Sequence, residues 1–398
     1  MKVLMINSVC GIRSTGRICT DLAAALEAQG HEVKIAYGRE SVPEHARKYA
    51  VRIGSEMGVK VHALRARLLD DSGFGSTAAT RAFLKWVDEY DPDVIHLHNI
   101  HGYYLNVEEL FAYLHRSGKR VIWTLHDCWA FTGHAAYCDA ANCEKWITGC
   151  SHCPKRDDYP KSFLDFSARN WRKKKALFTS LTQLELVTPS HWLARLAGES
   201  FLGSYPLSVI HNGINTSTFQ PTESDVRLRY QAEDKKLVLG VAAVWDGRKG
   251  LNDFVALHEK LGDQARIVLV GLSDEQISSL PAGMIGIRRT NSPAELAELY
   301  SAADFFVNPT YEDNYPTTNL EAISCGTPVL SYDTGGSGES ACLYGCMVKK
   351  GDVDALAALI QNPPTFIRQD GDLDTAACIA QYLALYQSTK TATGEKRL

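Results

Sequence analysis

The stretch Asp304-Phe-Phe-Val-Asn-Pro-Thr-Tyr-Glu-Asp-Asn-Tyr-Pro-Thr-Thr-Asn-Leu-Glu-Ala-Ile-Ser-Cys-Gly326 predicts a strand, a loop and a helix in the second half of the chain. The apolar residues 305–307 predict a short buried strand, and Gly326 ends the helix. Pro316 suits the first turn of that helix, since it has no backbone N–H to leave unpaired. The positions behind it offer free N–H groups, two hydroxyls and an amide: Thr317, Thr318 and Asn319.

This helix start is predicted to bind an anion, because unpaired N–H groups and the helix dipole point in the same direction. Two carboxylates frame it, since Asp313 precedes the turn and Glu321 lies one turn inside the helix. A carboxylate does not favour a bare phosphate, so we expect the pair to accept hydrogen bonds from hydroxyl groups. Phosphate-binding donors beside hydroxyl-binding acceptors predict a site for a nucleotide-sugar.

Length and composition indicate an ordinary globular protein. The chain has 398 residues, of which 45% are hydrophobic and 22% charged, and its formal net charge is −4. This length favours two domains of roughly 200 residues each, and no global basic excess suggests a nucleic-acid partner. No apolar run reaches the roughly 18 residues that span a bilayer, and the N-terminus does not resemble a signal peptide. We therefore expect a cytoplasmic protein whose 11 cysteines are reduced thiols or metal ligands.

Strands alternate with helices through both halves, which predicts α/β architecture with two parallel, doubly wound sheets. The first strand is expected at 3–6, and the loop Gly11–Arg17 leads into the first helix. This loop is not G-x-G-x-x-G, so dinucleotide binding is not supported. Gly16 and Arg17 either let the backbone and a charge approach a ligand or form a simple tight turn. Residues 41–75 have no clear periodicity and are expected to mix loop and helix.

The domain boundary is predicted near the Asn-Gly turn in His211-Asn-Gly-Ile-Asn215. We assign a first Rossmann-like domain to 1–205, with a cysteine-rich loop at 134–160, and a second one to 206–370. Residues 371–398 contain a last amphipathic helix, followed by a tail at 389–398 that is expected to fray.

Ligands of parallel sheets bind beyond the carboxyl ends of the strands, and the first domain places polar residues there. His126 follows an apolar strand directly, and Asp127 beside it could orient the imidazole, so His126 is a candidate catalytic residue. A purely structural role is the alternative. Another polar stretch at the same edge is His98–His101, whereas His96 alternates with apolar neighbours and is expected to be a core residue.

Arg248 and Lys249 are predicted on a loop at the carboxyl end of the second domain's first strand. Two adjacent cations there could hold a diphosphate and stabilise its charge as a leaving group. The alternative is a solvated loop. We favour ligand binding, because the anion-binding helix start is predicted on the same rim.

Four cysteines within the loop at 134–160 have the spacing C-x4-C-x6-C-x2-C, and only the last pair is typical of a zinc site. Three interpretations stay open: a structural Zn²⁺ that pins the loop, reduced packing thiols, or a redox role. A set of four thiolates would close the coordination sphere, so no catalytic metal is predicted. The residues are Cys138, Cys143, Cys150 and Cys153.

A basic run, Trp171-Arg-Lys-Lys-Lys175, lies on a helix predicted over 163–179. A solvated helix face is the favoured interpretation. Contact with an anionic membrane or a lipid-linked acceptor is the alternative, because clustered cations attract acidic headgroups.

Several separated motifs together resemble the retaining glycosyltransferases of family 4, in particular those of bacterial polysaccharide biosynthesis. The motifs are Thr124-Leu-His-Asp127, Thr188-Pro-Ser-His-Trp192, His211-Asn-Gly-Ile-Asn215, Arg248-Lys-Gly250 and the run 308–329. The resemblance covers nearly the whole chain. It implies the GT-B fold, in which two Rossmann-like domains face a central cleft, the first binding the acceptor and the second the nucleotide-sugar. It also implies that the final helix returns to the first domain and that catalysis uses no metal.

The resemblance carries roles over to individual positions. Glu321 matches the residue that binds the ribose hydroxyls, Lys249 the lysine that binds phosphate, and His126 a histidine that contacts the donor sugar near the reacting carbon. The family's arginine, five or six positions before the lysine, is replaced by apolar residues, and Arg248 is the expected substitute.

A second acidic residue of the family, usually Glu, holds a hydroxyl of the transferred sugar. Asp313 occupies its place and Glu312 lies one position earlier, so that either side chain can do this. The catalytic set is therefore His126, Arg248, Lys249 and Asp313. The rest of the expected donor-binding set is Gly16, Arg17, Glu312, Tyr315, Pro316, Thr317, Thr318, Asn319 and Glu321.

The implied reaction moves a hexose-type sugar from a nucleotide-sugar to a hydroxyl of a saccharide or lipid-linked oligosaccharide, with same-face attack and retention. The enzyme is expected in the cytoplasm or at the inner face of the membrane. One alternative is a nucleotide-sugar epimerase or hydrolase, which His98 and His101 keep open. Another is a nucleotide-sugar-binding protein without catalytic activity, in which the cysteine segment is an interaction module.

Overall fold

The computed structural model of the protein describes residues 1–388, and the predicted frayed tail at 389–398 lies outside the described residues. The chain forms two compact units. Unit 1 is Met1–His211 together with the chain from Cys378, and unit 2 is Asn212–Ala377. Each unit is built on one parallel sheet with alternating helices, which confirms the predicted fold class.

Unit 1 contains a seven-stranded sheet in the order β3-β2-β1-β4-β5-β6-β7. Its central strands are almost entirely buried, as expected for a parallel sheet covered on both faces. The strand order reverses direction between β1 and β4, so the loops that follow these two strands border the switch point where ligands bind. The strands are β1 (Lys2–Ile6), β2 (Glu32–Tyr37), β3 (Ala50–Arg52), β4 (Val94–Leu97), β5 (Arg120–Thr124), β6 (Leu184–Thr188) and β7 (Leu207–Val209).

Six helices accompany this sheet before the chain passes into unit 2. The start of α4 is capped by the Asn106 side chain, which accepts a hydrogen bond from the Glu109 N–H at 3.1 Å. Ser190 caps α6 in the same way through the Leu193 N–H at 3.1 Å. The helices are α1 (Arg13–Ala28), α2 (Glu56–Leu69), α3 (Thr77–Tyr90), α4 (Val107–Ser117), α5 (Ser167–Phe178) and α6 (His191–Glu199).

The prediction of a loop over Gly11–Arg17 was wrong at its end, because α1 already begins at Arg13. Gly16 and Arg17 therefore lie within the helix. The glycine serves packing: a Cβ at Gly16 would lie 3.1 Å from a Val9 methyl group. The absence of a side chain lets the first turn of α1 lie close to the loop after β1.

Unit 2 contains a six-stranded sheet in the order β10-β9-β8-β11-β12-β13, again with every pair parallel. Its switch point lies between β8 and β11. The strands are β8 (Lys236–Val241), β9 (Ala265–Val270), β10 (Ile285–Ile287), β11 (Phe305–Asn308), β12 (Val329–Tyr332) and β13 (Gly345–Val348). The helices are α7 (Val226–Arg229), α8 (Leu251–Leu261), α9 (Asp274–Ser278), α10 (Pro293–Ala302), α11 (Thr317–Ser324), α12 (Ser337–Ala341) and α13 (Val353–Gln361).

The last described helix, α14 (Thr375–Gln387), packs most of its length into unit 1. The Tyr386 hydroxyl lies 2.6 Å from Nδ1 of His96, whose Nε2 lies 2.8 Å from the Thr124 hydroxyl. The Arg120 guanidinium donates to the carbonyl oxygens of Leu385 and Tyr386 at 2.6 and 2.8 Å. His96 is fully buried with both ring nitrogens paired, which confirms its predicted place in the core.

Within residues 1–388, every helix is too short or too polar to cross a lipid bilayer.

Replacing Tyr386 with Phe should loosen α14. The substitution leaves Nδ1 of His96 buried without this partner, at a cost of about 1–3 kcal/mol. Hydrogen–deuterium exchange of the α14 amides should therefore accelerate about tenfold, since 1.4 kcal/mol corresponds to a factor of ten. Tyr344→Phe in unit 2 is the matched control. Unchanged exchange in α14 of the Tyr386→Phe variant would show that this hydrogen bond does not hold the helix.

Candidate functional site

The predicted site residues fall in both units. In unit 1, His98 follows β4 and His126 follows β5, so both lie at the carboxyl edge of the sheet. Nδ1 of His98 lies 3.0 Å from Nε2 of His126, and their rings are stacked with centroids 5.3 Å apart. The fold thus brings together two histidines that are 28 positions apart in sequence.

Asp127 is hydrogen-bonded to a histidine that the sequence analysis did not pair with it. Its Oδ2 lies 2.9 Å from Nε2 of His101, and its Oδ1 accepts the Trp129 N–H at 2.9 Å. Nδ1 of His101 lies 3.0 Å from the Tyr159 hydroxyl. Asp127 also interacts electrostatically with His126, whose pKa it raises, and an orienting role of Asp127 toward His126 stays a prediction.

Burial controls the charge of this cluster. It lowers the pKa of His126 to about 4 and that of His96 to about 3, and it holds the pKa of His98 well below its ordinary value. Neighbouring histidines act in the same direction, and Asp127 opposes them at His126. The His96, His98 and His126 side chains are therefore neutral at physiological pH.

The hydrogen bonds also assign the protons of the His98–His126 pair. Nε2 of His98 is buried and has no hydrogen-bond partner in the described part of the chain. An unpaired buried N–H is rarer than an unpaired lone pair, so we place the proton of His98 on Nδ1, from which it is donated to Nε2 of His126. Neutral His126 then carries its own proton on Nδ1.

Asn7 is a residue of this edge that the sequence analysis missed. It directly follows β1 and is fully buried. Its side-chain oxygen accepts the Asn99 N–H at 3.2 Å, and its amide nitrogen donates to the Val9 carbonyl at 2.8 Å and the Thr15 hydroxyl at 3.3 Å. Asn7 therefore fixes the loops after β1 and β4 at the switch point. The available signal was a polar residue directly after an apolar strand.

In unit 2, the loops that follow β8, β11 and β12 contact one another at the carboxyl edge of the sheet. Two glycines make this close approach possible because they have no side chain. Gly250 has φ +72°, and a Cβ there would lie 2.2 Å from the Pro309 carbonyl oxygen. Gly335 has φ +54°, and a Cβ there would lie 1.9 Å from the Asp313 carbonyl oxygen. Any side chain at either position would force the loops apart. The loop after β12, which carries Gly335, was not among the predicted site residues.

The cations and acids of the predicted catalytic set lie together in these loops. Nζ of Lys249 is 2.5 Å from Oδ2 of Asp313. The Arg248 guanidinium donates to the Glu312 carbonyl oxygen at 2.8 Å. Burial acts to raise the pKa of Asp313, but Lys249 and Arg248 outweigh it and hold the pKa below its ordinary value. Asp313 is therefore a carboxylate that accepts hydrogen bonds.

The helix start that opened the sequence analysis lies beside these loops. Helix α11 begins at Thr317, and Pro316 occupies the N-cap position, one residue earlier than expected. Proline has no polar side-chain group that could cap the helix, and Thr317 and Thr318 are half-buried there. The pattern of a helix N-terminus with polar, partly accessible residues is suited to binding an anion.

Two side chains of the expected donor-binding set also have internal partners. Asn319 is fully buried and donates to the Ser340 hydroxyl at 2.9 Å, while its oxygen accepts from Asn308 at 2.9 Å. Glu321 is buried, and its Oε2 accepts the Tyr300 hydroxyl at 3.0 Å. The Tyr315 side chain is buried, which raises its pKa to about 12. Asn319 holds α11 in place, and one oxygen of Glu321 is fixed by Tyr300.

The four cysteines line one small cavity of about 20 Å³, together with Trp146 and His134 among others. Burial raises the pKa of Cys150 and of Cys153 to about 11, so that without a metal they are thiols. Within residues 1–388, no three His, Cys, Asp or Glu side chains are grouped closely enough to hold a metal ion. Zinc at Cys138, Cys143, Cys150 and Cys153 stays a prediction.

The basic run of α5 is less basic at the surface than its sequence indicates. Trp171 and Lys174 are buried, and Nζ of Lys174 donates to the Trp129 carbonyl at 2.7 Å and the Thr132 carbonyl at 3.1 Å. Burial lowers the pKa of Lys174 to about 7. Exposed cations remain at Arg172, Lys173 and Lys175.

Comparison with known proteins gives two family matches. Residues 15–218 match the model for Glycosyltransferase Family 4, and residues 235–362 match that for Glycosyl transferases group 1. A relative is the Escherichia coli K12 protein WcaC, whose name places it in colanic acid biosynthesis as a glycosyl transferase. The two chains are 26% identical over 346 residues, which cover 83% of each.

Solved structures share the fold across almost the whole chain. Sucrose-phosphate synthase from Thermosynechococcus elongatus superposes with a TM-score of 0.70 at 17% identity, over 97% of this chain and 98% of that one. The Anabaena protein HepE in complex with UDP-glucose gives 0.59 at 15% identity, over 97% and 95%. These neighbours have the GT-B fold, so the predicted architecture of two Rossmann-like units is confirmed.

The buried histidines should make stability depend on pH. Each has a folded-state pKa below its ordinary value of 6.5, so below pH 6.5 the unfolded chain binds protons that the folded chain does not. The free energy of unfolding should therefore fall as the pH drops from about 6.5 to about 4, by up to about 1.4 kcal/mol per pH unit for each histidine. Thermal melts between pH 7.5 and 4.5 measure this slope. It should decrease in His126→Asn and remain unchanged in the exposed-site control His45→Asn.

The zinc prediction is decided by metal analysis of the protein purified without chelator. A structural site of four thiolates would give about one zinc per chain, whereas the spacing of the described side chains gives none. The metal should be lost in the double variant Cys150→Ser/Cys153→Ser and retained in the control Cys342→Ser/Cys346→Ser. A wild-type protein without zinc, also after incubation with zinc under reducing conditions, would leave these cysteines as packing thiols.

Proposed function

Because the chain belongs to glycosyltransferase family 4, it is a glycosyltransferase, and we propose that it transfers a hexose-type sugar from a nucleotide-sugar with retention of anomeric configuration. The acceptor in this proposal is a hydroxyl of a saccharide or of a lipid-linked oligosaccharide. Support comes from the similarity to WcaC, a glycosyltransferase of bacterial polysaccharide biosynthesis. The HepE complex with UDP-glucose supports the donor class.

One observation carries the proposal: the carboxyl edge of unit 2 combines a helix start with two cations and a half-buried carboxylate. The start of α11 offers N–H groups at the positive end of the helix dipole. Lys249 and Arg248 approach the loop between β11 and α11 through Asp313 and Glu312. The helix start and the two cations would bind a diphosphate, and the carboxylate would accept a hydrogen bond from a sugar hydroxyl.

Lys249 is the central residue of this proposal. In the structure its charge is balanced by Asp313, and an incoming diphosphate would compete for the ammonium group. Lys249 can then lie between the phosphate oxygens and Asp313. The other oxygen of Asp313, Oδ1, accepts the Asn314 N–H at 2.9 Å, and its second lone pair would accept a sugar hydroxyl. Stabilising the leaving diphosphate in this way lowers the barrier, because the interaction strengthens as negative charge develops.

In unit 1, His126 is proposed to contact the donor sugar near the reacting carbon. His126 lies at the carboxyl edge of unit 1, with its Nε2 3.0 Å from Nδ1 of His98. Its low pKa of about 4 keeps it neutral, so that it acts as a hydrogen-bond donor and not as a cation. The diphosphate, not the imidazole, would take the proton of the acceptor in a same-face reaction.

The remaining parts of the proposal concern ligand contacts and location. Glu321 would bind the ribose hydroxyls, and Tyr300 supports its carboxylate by donating to Oε2 at 3.0 Å. No metal takes part in this mechanism. We place the protein in the cytoplasm, with peripheral contact to the membrane that carries a lipid-linked acceptor.

The first test is to identify the donor by thermal-shift screening of UDP-, GDP- and other activated sugars, since a ligand that binds only the folded state raises the melting temperature. With the donor found, Lys249→Ala should lower kcat for transfer about 100- to 1000-fold, because it removes one group that stabilises the leaving diphosphate. The melting temperature of the free variant and product formation from radiolabelled donor are the two measurements.

Lys235→Ala is the matched control, since Lys235 forms an exposed ion pair with Asp263 in the same unit. It should retain wild-type kcat. An unchanged kcat in Lys249→Ala would remove Lys249 from the mechanism. Incubation with donor alone separates the other two functions: an epimer or free sugar without acceptor would favour an epimerase or hydrolase, and tight binding without any turnover a binding protein.

A further inference from the structure

Helix α2 (Glu56–Leu69) presents an apolar stripe to solvent. Met57, Val61, Leu64 and Leu68 are 66, 59, 61 and 48% exposed. Their spacing of four, three and four residues places them on one side of the helix. The buried residues His62 and Ala66 lie on the opposite side. We name the four apolar side chains the α2 stripe.

Cations flank this stripe on both sides. At 100° per residue, Lys60 and Arg67 border one edge and Arg65 borders the other. All three are exposed. Glu56, at the first position, is the single acidic residue of the helix. An exposed apolar stripe with basic edges is the pattern of a helix that lies in the interface of an anionic membrane.

A neighbouring loop extends the apolar surface. Phe163 and Leu164 are 61 and 46% exposed. The Phe163 N–H donates to the Arg67 carbonyl at 2.7 Å, and the Phe166 N–H donates to Oδ2 of Asp70 at 2.7 Å. These backbone bonds fix the loop at the C-terminal end of α2, so that its exposed side chains adjoin the α2 stripe.

We propose that the α2 stripe and the loop at 163–166 form a docking surface for an anionic lipid bilayer. The apolar side chains would enter the boundary between headgroups and acyl chains, while Lys60 and Arg67 would contact lipid phosphates. Arg65, on the other edge, is ion-paired with Asp71 at 2.5 Å. Charge favours a lipid bilayer over a second copy of this chain as the occupant of the surface. In a pair of α2 helices packed stripe to stripe, basic edges would oppose basic edges, which is unfavourable.

The buried side of α2 leads to the candidate site of unit 1. The His62 ring packs against Tyr103 with centroids 5.8 Å apart, and Tyr103 packs against Tyr159 at 6.0 Å. The Tyr159 hydroxyl in turn lies 3.0 Å from Nδ1 of His101. The rings of His62, Tyr103 and Tyr159 thus form a continuous line of contacts from α2 to the His101–Asp127 pair. This short distance between a bound membrane and the candidate site suits an acceptor that is anchored in lipid.

Vesicle co-sedimentation of the full chain tests this surface. The probe is a vesicle of phosphatidylcholine with 30% phosphatidylglycerol, compared with phosphatidylcholine alone, in the absence of donor and acceptor. We expect binding to the anionic vesicles, a fall of at least about tenfold in the partition coefficient for Val61→Ser/Leu64→Ser, and a similar fall for Lys60→Gln/Arg67→Gln.

Matched controls are Leu228→Ser/Ile367→Ser, which changes two exposed apolar side chains of unit 2, and Lys85→Gln/Arg289→Gln, which removes two exposed charges elsewhere. Both should bind as wild type. Since the replaced side chains are exposed, the melting temperature should not change. If Val61→Ser/Leu64→Ser bound the anionic vesicles as tightly as wild type, the proposal would be overturned. It would also be overturned if sedimentation velocity showed that the wild-type protein is a dimer and that this variant is a monomer. The vesicle assay measures no turnover, so a failure of the membrane proposal can be distinguished from a failure of the proposed transfer activity.

Discussion

Parallel strands place all their carboxyl ends at one edge of a sheet, and this constraint organises the chemistry of both units. In unit 1 the residues directly after β1, β4 and β5 are Asn7, His98 and the Leu125–His126 pair. In unit 2 the loops after β8, β11 and β12 carry Lys249, Asp313 and Gly335. Residues far apart in sequence become neighbours because crossover helices return each strand in the same direction.

Much of this arrangement could be predicted from sequence because its signals are local. An apolar strand followed by a polar loop, and a proline before two threonines, indicate the carboxyl edge and the helix start without knowledge of the fold. Pairings between loops have no such signal. Asp127 follows His126 in sequence, but its carboxylate is also hydrogen-bonded to His101, which lies 26 positions away and contacts Trp129 and Tyr159. The ion pair of Lys249 with Asp313 joins residues 64 positions apart.

Residues 41–75 were expected to mix loop and helix, but the bounds of α2 were not predicted, for a reason that matters to its role. Periodicity analysis assumes that the apolar face of a helix is the buried one. In α2 the large apolar residues face solvent, while the buried side holds the small Ala66 and the polar His62. The hydrogen bonds of His62 to Ser76 and Gly75, at 2.9 and 3.1 Å, anchor the helix where apolar packing would normally do so. Because α2 contributes little apolar area to the core of unit 1, its apolar residues are consistent with a role at the exposed surface.

The return of α14 to unit 1 has a consequence for the order in which the protein is completed on the ribosome. Tyr382 and Tyr386 belong to the same apolar cluster as Val3, Ile35 and Ile122, yet they are synthesised after the whole of unit 2. Until translation has passed Tyr386, the nascent first sheet must keep a hydrophobic groove open to solvent and leave His96 without its tyrosine partner. Unit 2, whose residues are contiguous, can close beforehand. The domain synthesised first is thus the one completed last.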